Sequence, residues 1–148
     1  DNSIVVLTTE SSGIKTLSNL EGKTVTVQAG SSGQSALDKN TDLVATFKGG
    51  AYLTCANYTT AFQDLKTGAV DAVVIDIGVA KYLIEGQTGY TVLDEKVSSE
   101  QYGVGFYKGN TELRDKIEAA MVYIAENTET VNTLAEKYGI SDSVIIGK

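Results

Sequence analysis

The chain has 148 residues, 42% hydrophobic and 21% charged, which is enough apolar material for one packed domain and too much for a disordered segment. A formal net charge of −7 argues against a nucleic-acid partner, which would require a basic face to neutralise phosphate. The chain has no histidine, so Ser-His-Asp and Cys-His catalysis and Cys/His zinc sites are excluded; no metal or other cofactor is expected. The single cysteine, Cys55, rules out an internal disulfide, leaves the redox compartment open and reads as a small core residue. No apolar run approaches the ~20 residues of a membrane span. Asp1 opens on a polar dipeptide without the pattern of a leader, which fits either a cytosolic chain or one whose leader has been removed.

In chain order, Ser3–Thr9 (SIVVLTT) is β-branched and apolar, the composition of a buried strand. Glu10–Glu21 is polar and predicts a loop with a helical turn at Leu17–Leu20. Lys23–Ala29 alternates and predicts a second strand. The small-residue run Gly30-Ser31-Ser32-Gly33 follows, then a helix over Gln34–Lys39, with Ser31 and Gln34 in capping-box spacing. Leu43–Phe47 predicts a short strand. Asn57–Lys66 predicts a helix with Ala61, Phe62 and Leu65 on one face, stopped by Gly68. Ala72–Ile75 (AVVI) predicts a central strand that ends on Asp76, and Ile77–Glu85 the next helix, stopped by Gly86. Tyr90–Leu93 and Gln101–Tyr107 predict two further strands.

The last third is helical. Asn110 is placed to cap a long helix with Leu113, Ile117, Ala120, Met121 and Ile124 on one face. A second helix over Glu129–Tyr138 would turn Val131, Leu134, Ala135 and Tyr138 inward. Strand–helix alternation up to Leu93 predicts an α/β fold, three layers around a largely parallel sheet, with the C-terminal helices added.

Two strand-to-helix junctions carry the chemistry. The Gly-Ser-Ser-Gly turn before a helix exposes backbone N–H groups and the positive end of a helix dipole, and its serines add hydroxyl donors. The turn reads equally well as a plain capped connection. Phosphate binding is a third reading, although neither G-x-x-x-x-G-K-[ST] nor G-x-G-x-x-G is present. Asp76 ends a strand where the next helix begins, so it is either an N-cap alone or a ligand carboxylate. Ligands of parallel sheets bind outside the strands' carboxyl ends. An anion-binding turn and a carboxylate over one such edge suit a zwitterion such as an α-amino acid.

Three stretches carry a family resemblance: L-S-N-L-E-G-K-T-V-T-V-Q-A-G-S-S-G (Leu17–Gly33), A-F-Q-D-L-K-T-G-A-V-D-A-V-V-I-D (Ala61–Asp76) and Q-Y-G-V-G-F-Y-K-G-N-T-E-L-R-D-K-I (Gln101–Ile117), with A-E-K-Y-G-I (Ala135–Ile140) at the end. In this order and spacing the chain resembles the amino-acid-binding members of the type II periplasmic solute-binding proteins of ABC transporters. The resemblance implies that Ser31, Ser32 and Gly33 grip a ligand carboxylate and Asp76 pairs with its ammonium, while Gln28 and Ile75 border the ligand. Tyr102 falls near a returning hinge strand and reads as a packed hinge aromatic.

The implied organisation is a hinge strand over residues 1–9, the second of two lobes over 10–99, a return hinge over 100–109 and C-terminal helices over 110–148. The N-terminal part of the first lobe, with its aromatic cradle and carboxylate-clamping arginine, has no counterpart here. The implied partners are a free amino acid and an ABC transporter permease; the apolar helix face, without its usual partner, would cover the second lobe, pair with another chain in self-association or stay exposed. The implied setting is extracellular or periplasmic, on a lipoprotein. The implied role is non-enzymatic; a sensor domain, or a dehydratase whose acid or base would be Asp76, Asp71 or a Glu or Lys residue, none of them singled out, are alternatives on the same fold.

Overall fold

A computed structural model describes residues 2–141 and residue 144. The residue at position 1 and the tail beyond 141 other than Val144, parts of the expected hinge and C-terminal segments, lie outside the described residues. The chain divides into two compact units, one over Asn2–Glu100 and one that begins at Gln101.

The first unit is an α/β fold on a six-stranded sheet. Its strands are β1 (Asn2–Thr9), β2 (Val25–Gln28), β3 (Leu53–Cys55), β4 (Ala72–Asp76), β5 (Tyr90–Val92) and β6 (Ser98–Glu100). Their order is β3-β2-β4-β1-β5, with β6 also paired to β1. The sheet is mixed, where alternation predicts a largely parallel one. β2 runs parallel to β3 and β4, but β1 is antiparallel to β4, β5 and β6. A strand reading from composition is blind to direction, and β1 enters the sheet from the opposite end.

Alternation along the two central strands divides the core. Ile4 and Val6 of β1 and Ala72 and Val74 of β4 face one side, where Ala36 and Leu37 of α1 (Ser32–Lys39) cover them. Val5, Leu7, Val73 and Ile75 face the other, under Ala61, Phe62 and Leu65 of α3 (Tyr58–Thr67) and Ala80 of α4 (Ile77–Ile84). This is the expected three-layer arrangement.

The segment read as a strand at Leu43–Phe47 is instead helix α2, Thr41–Thr46. Its β-branched residues suit a strand, yet Leu43 and Val44 pack against the first core cluster from a helix. Tertiary burial overrides such weak propensities. The strand at this point of the sheet is β3, whose Leu53 and Thr54 are exposed at the edge. Cys55 is half-buried rather than in the core, its Sγ lying near the Val27 and Asn57 carbonyls. The predicted strand at Gln101–Tyr107 does not form; the pairing to β1 is made just before it, by β6.

In the second unit, α5 (Thr111–Glu126) and α6 (Thr128–Lys137) are the two expected helices. Asn110 Oδ1 accepts from the Leu113 N–H, as expected of its cap. The predicted inward residues of α6 divide: Ala135 is buried, Val131 is half-buried, and Leu134 and Tyr138 are exposed. The apolar stripe of α5 stays open, with Leu113, Ile117, Met121 and Ile124 all exposed. Tyr102, read as packed, is 73% exposed.

The fully buried Leu7 and the exposed Ile117 therefore predict unequal costs. Leu7→Ala should lower unfolding stability by about 2–5 kcal/mol, through lost burial and a residual cavity. Ile117→Ala should cost less than about 1 kcal/mol, because water already reaches its side chain. Urea unfolding curves of the two variants check both values.

Candidate functional site

The parallel pairing of β2 and β4 sets Val25, Thr26 and Val27 beside Ala72, Val73 and Val74. Both strands therefore end at one edge of the sheet. The Gly30–Gly33 turn leaves β2 and Asp76 leaves β4 at that edge, each directly before a helix. The two junctions read separately from the sequence stand on neighbouring strands.

Gly30 allows the chain to leave β2, with φ of 71°, a region where a side chain is strained. Ser31 is the N-cap of α1. Its Oγ accepts from the Gln34 N–H at 3.1 Å and donates to the Gln28 carbonyl at 2.8 Å. A hydroxyl has one hydrogen, so this bond to Gln28 occupies Ser31's only side-chain donor. The reciprocal half of the capping box reaches one residue further back than its pattern, Gln34 Oε1 accepting from the Gly30 N–H at 2.7 Å. Ser32 and Gly33 are the first two helical residues, and their N–H groups precede the helical ladder. With the exposed Ser32 hydroxyl, they are the donor groups that this helix start provides.

Gly33 is buried and its constraint is space. A Cβ there would stand 3.0 Å from Val27 Cγ2, 3.1 Å from the Tyr58 hydroxyl and 3.3 Å from Ser31 Oγ. Tyr58, on the first turn of α3, was not legible as a site residue. Its hydroxyl and the Ser31 hydroxyl both flank the space that a Gly33 Cβ would take. Burial foremost pushes its phenol above the usual 10.0, the neighbouring Ser31 side chain opposes this, and the charges of Asp76 and Glu100 add to the rise. The phenol thus lies within the field of Asp76 while standing beside the Gly30–Gly33 turn.

Asp76 performs the helix-capping role that its position predicts. Its Oδ1 accepts from the N–H groups of Gly78 (2.8 Å) and Val79 (3.3 Å), a cap worth about 1 kcal/mol. Its Oδ2 accepts from Asn2 Nδ2 at 2.5 Å. A carboxylate offers about four lone-pair directions, so capping and binding an ammonium are compatible.

Of the remaining expected site residues, Gln28 ends β2 half-buried. Ile75 is fully buried and its side chain enters the second core cluster, so only its backbone reaches the edge. Asp71, weighed as an acid or base, accepts from the Thr24 N–H at 2.7 Å and ties β2 to β4. A shallow cavity of about 520 Å³ adjoins the edge between α1 and β6, bordered by Ser32, Lys39, Val97 and Glu100 among others. Ser32 is the one expected site residue in its wall. Among the described residues no group of three or more His, Cys, Asp and Glu side chains is arranged to hold a metal.

Gly33→Ala should destabilise the chain by about 1–3 kcal/mol, as overpacking does, because Val27 is fully buried and the half-buried Tyr58 packs against the second core cluster. The loss should shrink when Tyr58→Ala is added, since that removes one of the three obstructing groups. Chemical denaturation of the two single variants and the double variant measures the coupling.

No family model matches the chain. Over 127 residues it is 31% identical to the L-cystine-binding protein TcyJ of Escherichia coli, an alignment that spans 84% of this chain and 45% of that protein. An ABC uptake transporter substrate-binding protein from Streptococcus pneumoniae with bound histidine superposes with a TM-score of 0.78 at 30% identity, over 93% of this chain and 57% of the other. An ancestral arginine-binding protein bound to glutamine gives 0.73 at 32% identity, over 95% and 60%. The chain thus spans about half the length of the curated relatives it matches. In sequence and in fold the chain is similar to amino-acid-binding proteins, among them a substrate-binding protein of an ABC uptake transporter, which is consistent with a type II solute-binding protein.

Proposed function

We propose that this chain supplies the amino-acid head-group site of an extracytoplasmic solute-binding protein that serves ABC-transporter uptake. The observation that carries the reading is the shared edge of β2 and β4, where a helix N-terminus with available N–H groups adjoins a carboxylate. The Ser32 and Gly33 N–H groups and the Ser32 hydroxyl take the ligand carboxylate, and Ser31 shapes the turn as its cap. Asp76 takes the ammonium, and Gln28 and the Ile75 backbone border the ligand. The relatives named above are binding proteins, and this chain is read as one too, not as an enzyme. In the same proposal residues 10–99 form the second lobe, 1–9 and 100–109 are hinge segments, and 110–148 are the C-terminal helices. The parent is a lipoprotein that delivers its ligand to a permease.

The energetics define a test. Micromolar affinity requires about −8 kcal/mol, whereas helix-terminus and charge-assisted contacts from one lobe supply about 2–4 kcal/mol after desolvation. The 148-residue chain should therefore bind L-arginine, L-glutamine or L-histidine with millimolar Kd in a nuclear magnetic resonance titration. Asp76→Ala should weaken this binding about tenfold, the cost of one charge-assisted contact. Micromolar binding by the chain alone would refute the half-site reading, and wild-type affinity in Asp76→Ala would leave the residue a helix cap only.

The exposed stripe Leu113, Ile117, Met121 and Ile124 supports a second element of the proposal, self-association through α5. Sedimentation equilibrium should show an average mass that rises with concentration. Met121→Glu should return the chain to a monomer.

A further inference from the structure

The side chain of Asn2 is buried, with the residue 4% exposed, and its single amide nitrogen meets two carboxylates remote in sequence. Nδ2 lies 2.5 Å from Asp76 Oδ2 and 2.8 Å from Glu100 Oε1. An amide NH2 has two hydrogens, and these two charge-assisted bonds use both. The opposite oxygen of Asp76 is held by the Gly78 and Val79 N–H groups. Both oxygens of the carboxylate are therefore anchored, and turning it about Cβ–Cγ would break bonds on each side.

We propose that Asn2 is a positioning residue for Asp76, holding that carboxylate in the orientation in which it meets a ligand's ammonium and linking it to Glu100. The proposal rests on the reading of Asp76 as ammonium partner. Topology brings the three groups together. Because β1 is antiparallel to β4, its first residues lie at the carboxyl end of β4, with Ile4 opposite Asp76. Because β6 is antiparallel to β1, Asn2 is also opposite Glu100. A carboxylate held in advance gives up less side-chain freedom when a ligand binds. An apolar residue at position 2 could not bridge the two acids, and an acidic one would add a third negative charge beside them.

The test uses the whole chain, labelled with carbon-13 and nitrogen-15, and L-arginine, L-glutamine and L-histidine as probes. Asn2→Ala should move the Asp76 carbon-13 Cγ resonance and weaken amino-acid binding about three- to tenfold. In an Asp76→Ala background the same replacement should change affinity by less than about twofold. A Cγ resonance that stays in place, or an equal loss in both backgrounds, overturns the proposal. Should Asn2→Ala fail to fold, the wild-type chain and Asp76→Ala alone decide it. The Asn2 side-chain amide protons should be slow to exchange in the former and fast in the latter, and equal exchange overturns the proposal. Wild-type affinity in Asp76→Ala overturns the underlying head-group reading, whereas lost binding there with an unmoved Cγ resonance in Asn2→Ala overturns the positioning role alone.

Discussion

β1 pairs with β4 through the middle of the sheet, in opposite directions, over five consecutive residue partners from Ile4–Asp76 to Thr8–Ala72. Almost everything else is arranged around this pairing. It joins two strands whose side chains alternate between the two core clusters, so each helical layer rests on residues from both. It leaves one side of β4 for the parallel partner β2 and one side of β1 for β5 and β6. The opposed direction brings the start of the chain to the carboxyl end of β4, where Asp76 stands. A parallel β1 would have placed Thr9 there instead of Asn2.

At that edge stability and the proposed recognition use the same groups. Ser31 and Asp76 both cap helices, and both belong to the proposed head-group site. They differ in what remains after capping. The Ser31 hydroxyl gives its only hydrogen to Gln28, so the turn offers backbone N–H groups and Ser32 in its place. Asp76 divides its bonds between its two oxygens, Oδ1 toward the Gly78 and Val79 N–H groups and Oδ2 toward Asn2, so its cap engages one side of the carboxylate. Such a site addresses the ammonium and carboxylate common to α-amino acids and takes little information from the ligand side chain. In the proposed reading one lobe alone binds weakly; the chain spans about half the length of its curated relatives.

The elements were legible wherever one local signal dominated. Val25–Gln28, Ala72–Asp76, α3 with its Asn57 cap and Gly68 stop, and both C-terminal helices fall within a few residues of their expected places. The misreadings have a common cause. Leu43–Phe47 is β-branched and became a helix because its apolar side chains are covered from that geometry. Gln101–Tyr107 looks like a strand by composition, but a strand requires a partner with unpaired hydrogen-bonding groups. Ser98–Glu100 takes that place on β1, in register with Asn2–Ile4.

By itself the sequence determined which local chemistry was available: a small-residue turn that leaves N–H groups before a helix, a carboxylate at a strand end, and no histidine for catalysis or metal binding. Those properties follow from residue type and short-range spacing, which the chain carries in any fold. Tertiary structure decided strand direction and neighbourhood, and so which distant residues joined that chemistry. Asn2, Tyr58 and Glu100 carry no local mark of a site. Asn2 reaches Asp76, and Glu100 joins it through Asn2, because hydrogen-bond register and two-sided burial leave the strands one way to pair; Tyr58 comes within the field of Asp76 from the helix above, and all of this belongs to the assembled sheet.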